Sequence, residues 1–209
     1  MSGPAPASPR GRRAVFLDRD GVLVADLDPL THAGDLRILP GVPEALRDLA
    51  ASGFLLVVVS NQTAVARGLV NEDGVRAVHA HLDRELVRLG GVAPSAYYFC
   101  PHHPSATDPR YRFACDCRKP RPGLLLRAAR DLGIDLRSSC LVGDRMTDVA
   151  AGRRAGCWTI LVLSGKHLAP PFETPEPPEP DLRPDREAPD LAAAAAIILG
   201  DASSRHEHR

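Results

Sequence analysis

Short apolar runs alternate along the chain with segments of helical periodicity. Ala14–Leu17 is apolar throughout and gives way at once to acidic residues, and residues 54–59 form a second run of this kind. Between them, residues 43–52 carry leucines at helical spacing and stop before Gly53. Strands without a polar face are typical of parallel sheets that are covered on both sides. The pattern predicts an α/β fold.

The alternation continues toward the carboxyl end. Asn71 is a suitable cap for a helix that ends before Gly90 and Gly91. The further predicted elements are a strand at 96–100, a helix at 123–132, a strand at 140–142, a helix at 148–155 and a strand at 159–163. We expect a Rossmann-like parallel sheet with helices on both faces and no large cap domain.

One domain is predicted over residues 14–200, since 209 residues fit one domain of ordinary size. Residues 1–13 are rich in Pro, Ala and Ser and are expected to form a flexible arm. Residues 169–189 are dense in proline, which resists helix and sheet, and are predicted to be an extended surface segment. An alanine-rich helix should follow at residues 190–199, and residues 201–209 should fray.

The composition excludes several classes of protein. Lys plus Arg equals Asp plus Glu at 26 each, and aromatic residues make 4% of the chain, so neither nucleic acid nor an anionic membrane is favoured as a partner. No apolar run has the length of a signal peptide or a transmembrane helix. Five cysteines are an odd number and do not resemble a secreted disulfide framework. We expect a cytoplasmic protein, and metal binding explains the paired cysteines better than disulfides do.

Polar groups stand directly after predicted strands. Asp18 and Asp20 follow the first strand, Ser60 ends the second, and Asp144 follows a later one. The carboxyl ends of parallel strands meet at one edge of a sheet, where ligands bind. Two carboxylates at i and i+2 can divide the hydrolysis of a phosphate ester, because one can attack phosphorus while the other moves protons. Singly, each group is typical of a solvated turn, but their order along the chain indicates a phosphoryl-transfer site.

Such a site must offset the negative charge of the phosphate. Mg²⁺ prefers hard oxygen ligands, and Asp18 with Asp144 could hold it while Asp148 orients the cluster. Lys119 supplies a compact positive charge. The candidates for binding phosphoryl or other anionic substrate oxygens are Ser60, Asn61 and Arg118.

Cysteine and histidine form a second cluster of potential ligands. The candidates are Cys100, His102, Cys115 and Cys117. Three thiolates and one imidazole suit tetrahedral zinc and leave no open catalytic position. The loop 100–117 has no apolar periodicity, so a metal could fix what hydrophobic burial cannot. His103 is an equally accessible rival for the imidazole position, and unpaired thiols beside a surface histidine are the alternative.

Four motifs occur in order, namely Asp-x-Asp-Gly, Ser, Lys-Pro and Gly-Asp-x-x-x-Asp. They lie at residues 18–21, Ser60, Lys119 and residues 143–148. In these motifs the sequence resembles the haloacid dehalogenase (HAD) superfamily of phosphatases. The resemblance implies that Asp18 is the nucleophile and Asp20 the general acid/base. It also implies that Asp20 binds Mg²⁺ through its backbone carbonyl.

The zinc loop runs directly into Arg118-Lys119-Pro120, and over residues 14–166 the chain is similar to the heptose-bisphosphate and histidinol-phosphate phosphatase family. Its Cys-Pro-His-His-Pro and Cys-x-Cys-Arg-Lys-Pro segments are most similar to members that act at the 7-phosphate of D-glycero-D-manno-heptose 1,7-bisphosphate. The resemblance implies Mg²⁺ and Zn²⁺ as cofactors and phosphoryl stabilisation by Ser60 and Lys119. The implied substrate contacts are Asn61, Gln62, Thr63, Arg118 and Arg145.

The chain departs from this family where sugar specificity should reside. Val22 stands where the family commonly has Thr, residues 26–29 replace an Asp-His-Gly-Tyr-like stretch, and Thr63-Ala64 replaces Ser-Gly. Histidinol phosphate therefore stays an alternative substrate. A phosphate-sensing or zinc-dependent binding module with little catalysis is the other alternative. In either case we expect a small phosphorylated metabolite as the partner of a monomeric chain.

Overall fold

A computed structural model describes residues 11–27, 29–166 and 181–207. Its centre is a 6-stranded sheet in the order β3-β2-β1-β4-β5-β6, and each neighbouring pair is parallel. The strands are β1 Ala14–Leu17, β2 Leu55–Asn61, β3 Ala96–Cys100, β4 Cys140–Gly143, β5 Trp158–Val162 and β6 Arg186–Ala188. The predicted α/β fold is confirmed.

Helices cover both faces of the sheet. They are α1 Val42–Ala51, α2 Thr63–Ala66, α3 Glu72–Arg88, α4 Gly123–Leu132, α5 Met146–Ala155 and α6 Leu191–Glu207. Val15 and Leu17 of β1 pack in the cluster that contains α1, α3 and α6. Ala14 and Phe16 pack in the opposite cluster with α4 and α5. This two-sided burial explains why β1 has no polar position. No helix within the described ranges is long and apolar enough to span a membrane.

The order of the strands reverses beside β1. The chain leaves β1 toward β2 and β3 on one side, then returns to place β4 on the other side. Leu17 pairs with Val142, and the Asp18 amide donates to the Val142 carbonyl at 3.0 Å. A crevice forms at such a switch point because neighbouring strands send their connections to opposite faces. Residues that follow β1 and β4 therefore face each other there.

The structure corrects the prediction for the proline-rich segment. Residues 169–180 lie outside the described part of the chain, but Arg186–Ala188 form strand β6, which pairs with β5 at the edge of the sheet. The prolines at 184 and 189 flank this strand and leave its backbone donors intact. Asp185 anchors it, because its Oδ2 accepts from the amide and the hydroxyl of Thr159 at 2.9 and 2.8 Å.

The two ends of the chain also differ from the prediction. Arg12 donates its amide to the Gly133 carbonyl at 2.9 Å, so the predicted arm 1–13 is anchored at its last residues, while residues 1–10 lie outside the described ranges. Helix α6 continues to Glu207, beyond the helix end that was expected at residue 199, and the fraying of residues 201–209 stays a prediction. A helix that is already nucleated gains one hydrogen bond per added residue, which favours this extension.

Candidate active site

Three buried aspartates meet at the carboxyl edge of the sheet. Asp18 follows β1, Asp144 follows β4, and Asp148 lies in the first turn of α5. One carboxylate oxygen of each lies within 4.8 Å of the others. The exposed fractions of these residues are 8%, 0% and 1%. The structure therefore brings together three of the four aspartates that the sequence assigned to the magnesium site.

Asp144 has the environment of a metal ligand. Its Oδ2 accepts a hydrogen bond from the Lys166 amide at 2.7 Å, whereas its buried Oδ1 has no hydrogen-bond partner among the described residues. Burial, together with the negative charges of Asp18 and Asp148, raises the pKa of Asp144 to about 7. A buried, unpartnered carboxylate oxygen beside two further carboxylates fits a hard divalent cation such as Mg²⁺. That the Asp20 carbonyl joins these ligands stays a prediction.

Two glycines make room for the Asp144 carboxylate. Gly21 has a φ of 81°, and a Cβ at Gly21 or at Gly165 would collide with Asp144 Oδ2. The loop after β5, which contains Gly165 and Lys166, was not identified from the sequence as part of the site. The available signal was Ser164-Gly165-Lys166 directly after a buried strand, at the same edge of the sheet as the other site residues.

Lys119 lies between two of the carboxylates. Its Nζ is 3.0 Å from Asp18 Oδ1 and 2.5 Å from Asp148 Oδ1, and it donates to the Val59 carbonyl at 2.9 Å. Burial alone would lower the pKa of Lys119, but the charges of Asp148 and Asp18 outweigh it and raise the pKa. The ammonium group is therefore a fixed positive charge beside Asp18.

The residues at the end of β2 hold their neighbours in place. Buried Ser60 accepts from Gln62 Nε2 at 2.8 Å, and the same Gln62 nitrogen donates to Asp20 Oδ2 at 3.2 Å. The Asn61 side chain donates to the Lys119 carbonyl at 3.0 Å and accepts from the Lys119 amide at 3.1 Å. In this structure Asn61 positions the Lys119 segment, and its predicted contact with substrate stays a prediction.

A cleft opens above these groups, and the predicted substrate contacts line it. Besides the residues above, its lining includes Thr63, Arg67, His103, Arg118 and Arg145. Arg118 NH1 donates to the His102 carbonyl at 3.1 Å and lies 3.4 Å from Thr63 Oγ1. The cleft is therefore rich in guanidinium groups.

Asp26 also lines this cleft. In the sequence it belongs only to residues 26–29, which depart from the family pattern. Its Oδ2 lies 3.0 Å from Lys166 Nζ and 3.6 Å from Arg145 NH2. It joins the loop after β1 to the loop after β5. No sequence signal pointed to these pairs, because the partners are far apart along the chain.

The second cluster has the geometry of a tetrahedral metal site. Five pairs among Cys100 Sγ, His102 Nδ1, Cys115 Sγ and Cys117 Sγ are separated by 3.2 to 3.5 Å. Metal–sulfur bonds of about 2.3 Å in a tetrahedron place ligand atoms about 3.8 Å apart, so the set fits Zn²⁺ with little rearrangement. His103 Nδ1 instead accepts from the Ser105 amide at 3.1 Å. The geometry favours His102 over His103.

Comparison with known proteins agrees with this site. Residues 116–194 match the family model described as HAD-hydrolase-like. The D-glycero-beta-D-manno-heptose-1,7-bisphosphate 7-phosphatase of Photorhabdus laumondii is 41% identical over 158 residues, which cover 75% of this chain and 84% of that protein. The protein of the same name from Escherichia coli K12 is 39% identical over 165 residues, covering 77% and 84%.

Solved structures lead to the same group. The D,D-heptose 1,7-bisphosphate phosphatase from B. bronchiseptica, complexed with magnesium and phosphate, has a TM-score of 0.75 at 34% identity and covers 90% of this chain and 99% of its own. The one from Burkholderia thailandensis has a TM-score of 0.61 at 26% identity, with coverage of 90% and 99%. The sheet and its aspartate–lysine edge define a HAD-like hydrolase. Within that class, the chain belongs to the D-glycero-β-D-manno-heptose-1,7-bisphosphate 7-phosphatase family.

Proposed function

We propose that this protein is a magnesium-dependent phosphatase that removes the 7-phosphate of D-glycero-D-manno-heptose 1,7-bisphosphate through a phosphoryl group held covalently on Asp18. One observation carries the proposal, namely the convergence of Asp18, Asp144 and Asp148 with Lys119 at the switch point of the sheet. The names of the relatives support the substrate.

The positions of the side chains and the resemblance to the HAD superfamily support the following chemistry. Asp18 attacks phosphorus, and Asp20 gives a proton to the departing sugar oxygen. Water then attacks the phosphoryl group on Asp18 while Asp20 accepts its proton. Lys119 and Ser60 stabilise the phosphoryl oxygens, and Mg²⁺ held by Asp18 and Asp144 would supply further positive charge there.

Lys119→Met tests the stabilising role of the ammonium group. We expect kcat to fall by about 10²- to 10³-fold, because a fixed positive charge beside the nucleophile is lost. Without added Mg²⁺, the free energy of unfolding should fall by roughly 3–5 kcal/mol, since Asp18 and Asp148 lose their buried partner. Steady-state phosphate release and urea unfolding measure the two effects. Arg127→Met removes an exposed cation from α4 and is the matched control. A folded Lys119→Met protein with normal kcat would contradict the assignment.

The cleft favours a substrate with a second anionic group. Arg67, Arg118 and Arg145 line it in addition to Lys119. Lys119 and a bound metal would already offset the charge of the transferring phosphoryl group. The guanidinium groups can therefore bind a second phosphate of the substrate, for which their planar fork is suited. Histidinol phosphate would bring a positively charged amine toward these cations, which makes it the less suitable substrate.

A panel of phosphate esters tests this choice in the presence of Mg²⁺. It contains both anomers of the heptose bisphosphate, heptose 7-phosphate, histidinol phosphate and fructose 1,6-bisphosphate. We expect the highest kcat/KM for a heptose bisphosphate anomer, at least about tenfold above heptose 7-phosphate, since each 1.4 kcal/mol of added binding is worth tenfold. A preference for histidinol phosphate would reject the proposed substrate. Tight binding without turnover across the panel would favour a binding module.

We further propose that the protein works as a monomer in the cytoplasm. The zinc cluster requires three reduced thiols, and Cys100, Cys115 and Cys117 are free of disulfides. Reducing surroundings preserve such thiolates. The balanced net charge supports a small-molecule partner rather than nucleic acid.

A further inference from the structure

Arg19, between the two catalytic aspartates in sequence, is almost completely buried. Its exposed fraction is 1%, whereas arginine is rarely buried unless it is paired. Its Nε donates to Asp20 Oδ1 at 3.1 Å and its NH2 donates to Asp20 Oδ2 at 2.8 Å. The guanidinium fork thus holds both oxygens of one carboxylate, which fixes the plane of that carboxylate as well as its position.

The third nitrogen of Arg19 has a partner on another element. NH1 lies 3.5 Å from Nε2 of His79, a buried residue of α3. Burial, with the charge of Arg19, lowers the pKa of His79 to about 3, so the imidazole is neutral and can accept from the guanidinium. The His79 ring stacks on Tyr97 of β3 with centroids 4.3 Å apart, and the Tyr97 hydroxyl donates to Asp83. Helix α3 therefore contacts the Arg19 side chain through His79, and strand β3 supports His79 through Tyr97.

Asp20 is also held from its other side. Gln62 Nε2 donates to Asp20 Oδ2 at 3.2 Å, so this oxygen accepts from both Arg19 and Gln62. The Arg19 backbone amide donates to Asp18 Oδ1 at 2.8 Å. The same residue thus orients the nucleophile through its backbone and the acid/base through its side chain.

We propose that Arg19 is a positioning residue for proton transfer, which fixes the Asp20 carboxylate toward the scissile bond and is itself held by His79. This inference rests on the proposed phosphatase function. The three guanidinium nitrogens contact Asp20 and His79, and the side chain is 1% exposed, which favours an action through Asp20 over direct contact with phosphate.

The two half-reactions depend on Asp20 in different ways. In the first, an Asp18 oxygen bonds to phosphorus, the bond from phosphorus to the sugar oxygen breaks, and protonated Asp20 gives its proton to that oxygen. In the second, water bonds to phosphorus, the bond to Asp18 breaks, and the Asp20 carboxylate takes the water proton. An activated ester such as 2,4-dinitrophenyl phosphate releases a stable anion and needs no proton in the first half. Only its second half-reaction then needs a positioned Asp20.

Rapid mixing of enzyme, Mg²⁺ and 2,4-dinitrophenyl phosphate tests the inference. For Arg19→Met we expect a burst of about one dinitrophenolate per enzyme at close to the wild-type rate, followed by slow turnover. With heptose bisphosphate, kcat should fall by roughly 10- to 100-fold, part of the usual contribution of general acid–base catalysis. For Arg19→Lys we expect a kcat between those of the wild type and Arg19→Met, because an ammonium keeps the charge but cannot hold both carboxylate oxygens. Asp20→Asn, which lacks the acid/base, shows the burst and the slow turnover that loss of proton transfer should give.

Two further variants complete the experiment. His79→Phe keeps an aromatic ring against Tyr97 but removes the acceptor, and should give a smaller loss with the same burst pattern. Arg88→Met, an exposed arginine of α3, should leave both phases unchanged. If Arg19→Met does not fold, as judged by thermal unfolding, Arg19→Lys and His79→Phe carry the test.

The outcomes separate the two proposals. Normal kcat for heptose bisphosphate in Arg19→Met, or loss of the burst together with turnover, would overturn the role of Arg19 and leave the proposed function in place. Normal turnover in Asp20→Asn would remove the proposed mechanism itself. A preserved burst with slow turnover in both variants supports the inference, since a general loss of structure would abolish the burst as well.

Discussion

Asp18→Asn is expected to abolish phosphate release, with a fall in kcat of about 10⁴-fold or more, because an amide cannot form the covalent intermediate. The exchange is nearly isosteric, and Lys119 keeps its 2.5 Å partner Asp148, so folding should be little affected. Colorimetric phosphate release measures the loss. Mass spectrometry after acid quenching should find a phosphoryl adduct on Asp18 in the wild-type protein and none in the variant.

Asp48→Asn is the matched control for this change. Asp48 lies on α1, and its side chain is 58% exposed, so its loss should leave turnover and stability unchanged. An Asp18→Asn protein that turns over substrate at the wild-type rate would exclude Asp18 as the nucleophile. Activity that persists with a phosphoryl adduct on another aspartate would place the nucleophile elsewhere.

The largest effect on stability should come from the zinc cluster. We expect about one zinc per chain in the wild-type protein and none in Cys115→Ser, which loses one of four ligands. Metal binding at structural zinc sites contributes roughly 10–16 kcal/mol to folding in small peptides, so the loop 100–117 should open and the melting temperature should fall. Arg118, which donates to the His102 carbonyl, should lose its anchor, and KM should rise.

The two adjacent histidines provide a matched pair for the ligand assignment. His102→Asn should lose zinc, whereas His103→Asn should retain it, because only His102 Nδ1 lies 3.3 Å from Cys117 Sγ and 3.5 Å from Cys100 Sγ. Cys157→Ala, a core substitution outside the cluster, should also retain zinc. Metal analysis of the purified variants gives the result. Full zinc content in His102→Asn would refute the assignment.

The alternation of apolar runs and helical segments was sufficient to predict the fold. Strand β1 is apolar at each position because both of its faces are covered. Four consecutive apolar residues in the sequence are enough to indicate this two-sided burial. The proline content of residues 169–189 predicts no strand at 186–188, whereas the prolines flank this strand and only its pairing with β5 reveals it. The end of α6 could not be predicted either, since continuation of a nucleated helix depends on how its first turns pack.

The order of residues along the chain shows which chemical groups are present and that they follow successive strands. Those facts predict a phosphoryl-transfer edge, because parallel strands send their carboxyl ends to one place, and the cysteine and histidine residues of loop 100–117 predict a zinc cluster. The contacts of Arg19 with Asp20 and His79, and those of Asp26 with Lys166 and Arg145, are visible only in the folded chain. Apart from the adjacent pair Arg19 and Asp20, these contacts join residues that are far apart along the chain, and local sequence preferences do not encode which distant side chains will meet.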